Sequence, residues 1–165
     1  MTVTNVDKDP ALRTITITAR FDAKPDRVWQ VWADPRQLER WWGPPTYPAT
    51  VVDHDLCPGG RVTYFMTGPE GNRFFGWWQV LSAVAPHQLD FEDGFADETG
   101  TPNPDLPTMM VSVQIGEHPD SGTQLQIRST FGSVEAMDQL IAMGMEEGFQ
   151  AALGQIDDLL VSIPG

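Results

Sequence analysis

The stretch Ser133–Ser162, SVEAMDQLIAMGMEEGFQAALGQIDDLLVS, decides how the rest of the chain is read. Ser133 is placed to cap a helix, and Glu135 falls in its first turn, where negative charge suits the helix dipole. Met137, Ile141, Met145, Phe149, Leu153, Ile156 and Leu160 follow at steps of four or three, drawing one apolar stripe along a long helix. Asp138, Gln139, Glu146, Gln150 and Asp157 fall on the opposite, solvated side. Burying Phe149, Leu153, Ile156 and Leu160 alone contributes roughly 6–12 kcal/mol, at about 1.5–3 kcal/mol each. Such a stripe needs a broad partner surface. Gly144, Gly148 and Gly154 interrupt it, each costing about 1 kcal/mol relative to alanine. They read either as close backbone packing or as room left for something held between helix and sheet.

Upstream, residues 1–11 are polar and read as a frayed, flexible N-terminus. Leu12 to Phe21 alternate, with Ile15, Ile17 and Ala19 on one side and threonines on the other, which predicts a half-buried strand. Lys24-Pro25-Asp26 starts a helix and Asp34-Pro35 a second, ended by Trp41-Trp42-Gly43-Pro44-Pro45. Six strands follow, from Tyr47 to Phe131, most of them joined by short turns such as Pro58-Gly59-Gly60 and Gly68-Pro69-Glu70-Gly71-Asn72. Short connections between neighbours predict an antiparallel sheet. Residues 93–108, rich in Pro, Gly and acids, read as a long flexible loop beside a cavity mouth. The class expected is α+β: strand, two helices, six strands and a long C-terminal helix.

The chain of 165 residues reads as one domain, long enough to bury about 70% of its unfolded surface. A net charge of −13 argues against nucleic acid and anionic membrane surfaces, which call for basic patches. Cys57 is the single cysteine, so no intrachain disulfide forms. The first residues carry no signal-like apolar core, and no apolar run approaches a membrane span. The expectation is a cytoplasmic protein with no membrane partner.

Several sequence words occur in a particular order: Trp41-Trp42-Gly43-Pro44 after an Asp-Pro helix, and Asp55 followed by Pro58-Gly59-Gly60-Arg61. Next come Gly76-x-Trp78-x-Val80 running into Pro86-x-x-Leu89, then Gly122-Thr123-x-Leu125. Last is Gly144-Met145-x-x-Gly148-Phe149-x-x-x-Leu153-x-x-Ile156-x-x-x-Leu160. Together they resemble the SRPBCC superfamily, in the START-like branch named for similarity to the activator of heat-shock-protein-90 ATPase. The resemblance implies a helix-grip fold: a curved antiparallel sheet around the C-terminal helix, with an internal cavity between them. It implies no universal catalytic residues.

Three functions follow as expectations. The first is binding of a small hydrophobic or amphipathic molecule, since ligand pockets are mostly apolar with a few polar anchors. Trp32, Trp42, Tyr64, Met66, Trp78, Phe91, Met109, Val111, Met145, Gly148 and Phe149 are the candidate cavity residues. Taken singly, each reads first as plain core. Val62, Tyr64 and Met66 share one strand face and Arg61, Thr63 and Phe65 the other, with the inward face left open. The second is an enzyme of the polyketide cyclase or hydrolase type, for which His54, Asp55, Arg61, Tyr64 and Glu92 are the acid–base candidates on strands. His54 and Asp55 are neighbours and point to opposite faces, so they do not pair there. The third is a chaperone-linked interaction module. No cofactor is expected, and His54-x-x-Cys57 is too short a word for a metal site. The Trp41–Pro45 corner reads as a buried anchor; exposed, it would offer a homodimer surface.

Overall fold

Eight strands order into one antiparallel sheet in a computed structural model that describes residues 3–162. The elements run β1 (Val3–Asp9), β2 (Thr14–Phe21), α1 (Pro25–Ala33), α2 (Pro35–Trp41), β3 (Ala49–His54) and β4 (Arg61–Thr67). β5 (Arg73–Val84), β6 (Gln88–Ala96), β7 (Met109–Glu117) and β8 (Thr123–Phe131) complete the sheet. Strand order is β1-β2-β8-β7-β6-β5-β4-β3, so the two helices between β2 and β3 carry the chain from one side of the sheet to the other. The class is the expected α+β helix grip, a curved open sheet holding C-terminal helix.

Local sequence explains most of the elements. Ile15, Ile17, Ala19 and Phe21 of β2 are buried while their neighbours are half exposed, the period-two pattern of a one-sided sheet. α1 and α2 each begin with proline, where the missing N–H would be unpaired anyway. Asp34 caps α2 by accepting from the Arg36 N–H at 2.9 Å. At the C-terminal end, Ser133 Oγ accepts from the Ala136 N–H at 3.0 Å, as its position predicts.

The C-terminal rod is not continuous. It divides into α3 (Val134–Ala142), α4 (Met145–Leu153) and α5 (Ile156–Ser162). Gly144 has φ +87°, a left-handed conformation that glycine adopts without a Cβ clash, and it ends α3. Gly154 and Gln155 form the second joint. There the Gln155 side-chain Nε2 donates to the carbonyls of Gly43 (2.6 Å) and Trp41 (3.3 Å), tying the helix to the corner after α2. The buried side of these helices is Met137, Leu140, Phe149, Ala152, Leu153, Ile156 and Leu159. Ile141, Met145 and Leu160, expected in the stripe, are only partly buried.

Three further expectations are corrected. Of residues 1–11, the first two lie outside the described residues, but Val3–Asp9 is a strand paired with β2 rather than a frayed tail. It is an edge strand that tucks only Val3 and Val6 partly against the core. Glu146, assigned to the solvated face, is buried and ion-paired to Lys8 of β1 at 2.7 Å. The loop expected from Asp93 begins later, because Asp93–Ala96 continues β6. Asp97 then organises a turn by accepting from the N–H groups of Thr99 (2.8 Å) and Thr101 (3.1 Å).

Among the described residues no helix is long and apolar enough to cross a membrane. The grip itself is testable through α4. Leu153 is fully buried, so Leu153→Ala should cost about 2–5 kcal/mol. Val161, which is 81% exposed, should tolerate alanine within about 0.5 kcal/mol. Urea unfolding of both variants checks the contrast.

Candidate functional site

The sheet and the α3–α4 joint do not close on each other completely. Between them lies a partly open cavity of about 270 Å³. Its walls come from β4 (Tyr64, Met66), β6 (Asp93, Gly94, Phe95), the corner after α2 (Trp42, Pro44), the loop end Pro107 with Met109, and the helices. The helices and the joint between them contribute Leu140, Met143, Gly144, Met145, Gly148 and Phe149. Met143, 52% exposed, sits at the rim.

Among the expected cavity residues, Trp42, Tyr64, Met66, Met109, Met145, Gly148 and Phe149 line this space. Trp32, Trp78, Phe91 and Val111 do not; they are packed in the core beneath it. Trp78 and Phe91 stack at 3.9 Å between ring centroids, with Trp32 at 6.1 Å from Trp78. Trp42 joins the two regions, edge-on to Trp78 at 4.9 Å and to Phe149 of α4 at 5.5 Å. Gly148 faces open space: a Cβ added there meets nothing within 4 Å. Of the two readings open for the helix glycines, Gly148 fits room and Gly144 fits a chain turn.

The acid–base candidates are dispersed. His54 Nε2 lies 3.1 Å from the Trp32 carbonyl, a hydrogen bond in which the ring nitrogen donates. Arg61 lies over the Trp77 ring, and Glu92 accepts from Thr108 Oγ1 at 2.8 Å. Cys57 is exposed, and its thiol is pushed up by the neighbouring Asp55 carboxylate. Only Tyr64 reaches the cavity.

Its partner there is Asp93, which lies on β6 rather than in the loop expected from residue 93. The Tyr64 hydroxyl donates to Asp93 Oδ1 at 3.0 Å. The two belong to β4 and β6 with β5 between, and Gly76 makes the reach feasible. Gly76 is the register partner of Tyr64, and a Cβ on it would collide with the Tyr64 ring. Asp93 is buried, and burial pushes its carboxyl from the ordinary 3.8 up to about 7, against the Tyr64 and Gly94 donors that favour the ionised form. Burial, and then the charge of Asp93, raise the Tyr64 phenol well above its usual range. The Trp42 indole N–H makes no hydrogen bond of standard geometry, although its proximity to the Tyr64 hydroxyl works against that rise. Among the described residues lining the cavity there is no Lys, Arg or His.

The signal for Asp93 was present in the alternation of Leu89 and Phe91, both fully buried. One further step along the inner face is Asp93. An acid read as a solvent signal, and so hid it.

The family described as Activator of Hsp90 ATPase homolog 1-like protein matches residues 22–161. The chain belongs to this family. A crystal structure of protein Ms6760 from Mycobacterium smegmatis is 52% identical, with 96% of each chain covered and a TM-score of 0.89. A solution structure from Arthrobacter aurescens is 48% identical over 98% of this chain and 94% of that one, with a TM-score of 0.92. One from Staphylococcus epidermidis is 26% identical over 96% and 94%, with a TM-score of 0.83. No protein of curated function matches the chain significantly. In this member of the Activator of Hsp90 ATPase homolog 1-like family, the cavity therefore has to be interpreted from its own chemistry.

The buried acid has a thermodynamic signature. The folded state holds the Asp93 proton up to about pH 7, and the unfolded chain releases it near 3.8. Between those values the folded state binds more protons, so stability falls as pH rises and the full penalty stands above 7. Asp93→Asn should therefore gain up to about 4 kcal/mol over wild type at pH 8, and the gain should vanish below about pH 4. Urea unfolding of both proteins across this range measures it.

Proposed function

We propose that this protein binds a small apolar or amphipathic molecule in the cavity between β4, β6 and the α3–α4 joint. The observation that carries the reading is the conjunction of an unfilled apolar space with a single buried polar pair, Tyr64 and Asp93. Pockets for small molecules have this make-up: a hydrophobic lining with a few fixed polar groups. At about 270 Å³ the space is nearly twice the ~150 Å³ cavity that accepts benzene. That suits one aromatic ring with a short substituent. The methionines at positions 66, 109, 143 and 145 add unbranched, adaptable walls. Their flexibility lets the lining follow a ligand's outline.

A second reading, turnover of the bound molecule, is favoured by the same pair. A carboxyl poised near pH 7 beside a tyrosine is the type of group that exchanges protons with a substrate. The corner reading as a homodimer surface loses its support, because Trp41 and Trp42 are buried.

Phenethyl alcohol, a neutral probe of matching size, tests the binding reading by calorimetry and tryptophan fluorescence. Wild type should show saturable binding without chemical change of the probe; conversion of it would favour turnover. Gly148→Leu places an isobutyl group into the space and should weaken binding at least about tenfold. It also removes a helix-interior glycine worth about 1 kcal/mol, so its thermal midpoint should hold or rise. Undiminished binding by the folded variant would overturn the proposal.

A further inference from the structure

Asp93 is a buried acid with no counter-charge among the described residues that line the cavity. Its neighbours are Tyr64 from β4, Trp78 of β5 and Met109 of β7 as register partners, and Trp42, Met145 and Phe149 across the cavity. Tyr64 is the one other ionisable group there among the described residues. The nearest acid of α4's buried side, Glu146, is already held by Lys8. The donors present, the Tyr64 hydroxyl and the Gly94 N–H, point toward Asp93, so what the ionised acid still offers the cavity is an acceptor. The rings of Trp42, Tyr64, Phe95 and Phe149 border the same space.

We propose that the cavity's ligand is a small organic cation, a primary or secondary ammonium on an apolar body, whose N–H groups donate to Asp93 while the aromatic rings surround it. This rests on the pocket reading above and specifies its ligand class. The aromatic faces are negative and attract a cation, most strongly where water is excluded. A buried carboxylate is costly alone and is stabilised by a paired, hydrogen-bonded cation. An anionic ligand would meet the reverse: a like charge with no basic side chain to offset it. The chain's net charge of −13 draws cations toward its surface as well. The raised pKa of Asp93 agrees with this arrangement, being the state of the acid before its partner arrives. Binding an ammonium below pH 7 must then expel the Asp93 proton to solvent.

The test compares phenethylamine, phenethyl alcohol and phenylacetate, three probes of one shape and different charge, by calorimetry on the full chain. At pH 8 the amine should bind at least about tenfold tighter than the alcohol, with the acid weakest. At pH 6, titrations in two buffers of different ionisation enthalpy should show net proton release with the amine and none with the alcohol. In Asp93→Asn the amine-to-alcohol preference should fall to about one, as expected for loss of a charged hydrogen bond. If that variant does not fold, the probe series and proton release on wild type decide alone. Alcohol binding equal to or tighter than amine binding overturns the inference and leaves the pocket reading standing. So does a preference that survives in Asp93→Asn. Failure of all three probes to bind overturns the pocket reading itself, and this inference with it.

Discussion

Trp42 sets the distance between the C-terminal helices and the sheet. It stands at the end of α2, where Gly43 turns the chain so tightly that a Cβ there would strike the Tyr47 carbonyl. From that corner its ring packs edge-on against Phe149 of α4 on one side and against Trp78 and Tyr64 of the sheet on the other. Edge-to-face aromatic pairs contribute about 0.5–1.5 kcal/mol each beyond the area they bury. A rigid indole between two layers is also a spacer. Below it, Trp32, Trp78 and Phe91 fill the interior; beside it, the layers stay apart and the cavity remains. Gln155 reinforces the same corner from the α4–α5 joint by binding the Trp41 and Gly43 carbonyls.

Two glycines make the chemistry of that cavity. Gly76 leaves a gap on β5 across which the Tyr64 ring lies, so that a residue of β4 can reach Asp93 on β6. Gly148 leaves the helix wall without a side chain opposite them. The outcome is an acid surrounded by hydrocarbon and aromatic rings, which the fold holds at a cost in stability at neutral pH. Costs of this kind concentrate where a protein handles a ligand. The cation proposed above gives the acid what the protein's own side chains do not supply.

The periodic elements were legible from local chemistry. Thr14–Phe21, Arg73–Val84, Met109–Glu117 and Thr123–Phe131 show alternation or turn boundaries strong enough to be read directly. The proline starts of α1 and α2 and the Ser133 cap were equally plain. β1 was missed because its two valines, Val3 and Val6, stand three apart among polar residues and show no period-two pattern; it is held by pairing with β2, by those valines against the core and by Lys8 reaching Glu146. The division of the C-terminal rod was missed because a glycine in a helical pattern signals cost, not conformation, and only Gly144 takes the left-handed turn.

The candidate site divides along the same line. Seven of the eleven candidate positions line the cavity, Trp42, Tyr64, Met66, Met109, Met145, Gly148 and Phe149; residue type suggested them, while the face that points inward was left open by the sequence. Asp93 was not suggested, because an acid is judged soluble by its own chemistry and buried only by what packs around it. By itself the sequence determined the class of fold and the residues that form most of its strands and caps, since these depend on contacts or periodicities within a few residues; the family was legible as a resemblance carried by ordered sequence words. The tertiary structure alone decided which aromatics became solid core and which became cavity wall, and that Tyr64 crosses Gly76 to meet Asp93. Those outcomes depend on how far apart two layers settle, a distance set by Trp42 and its partners from separate elements, Tyr64 of β4, Trp78 of β5 and Phe149 of α4, and written in no single stretch of chain.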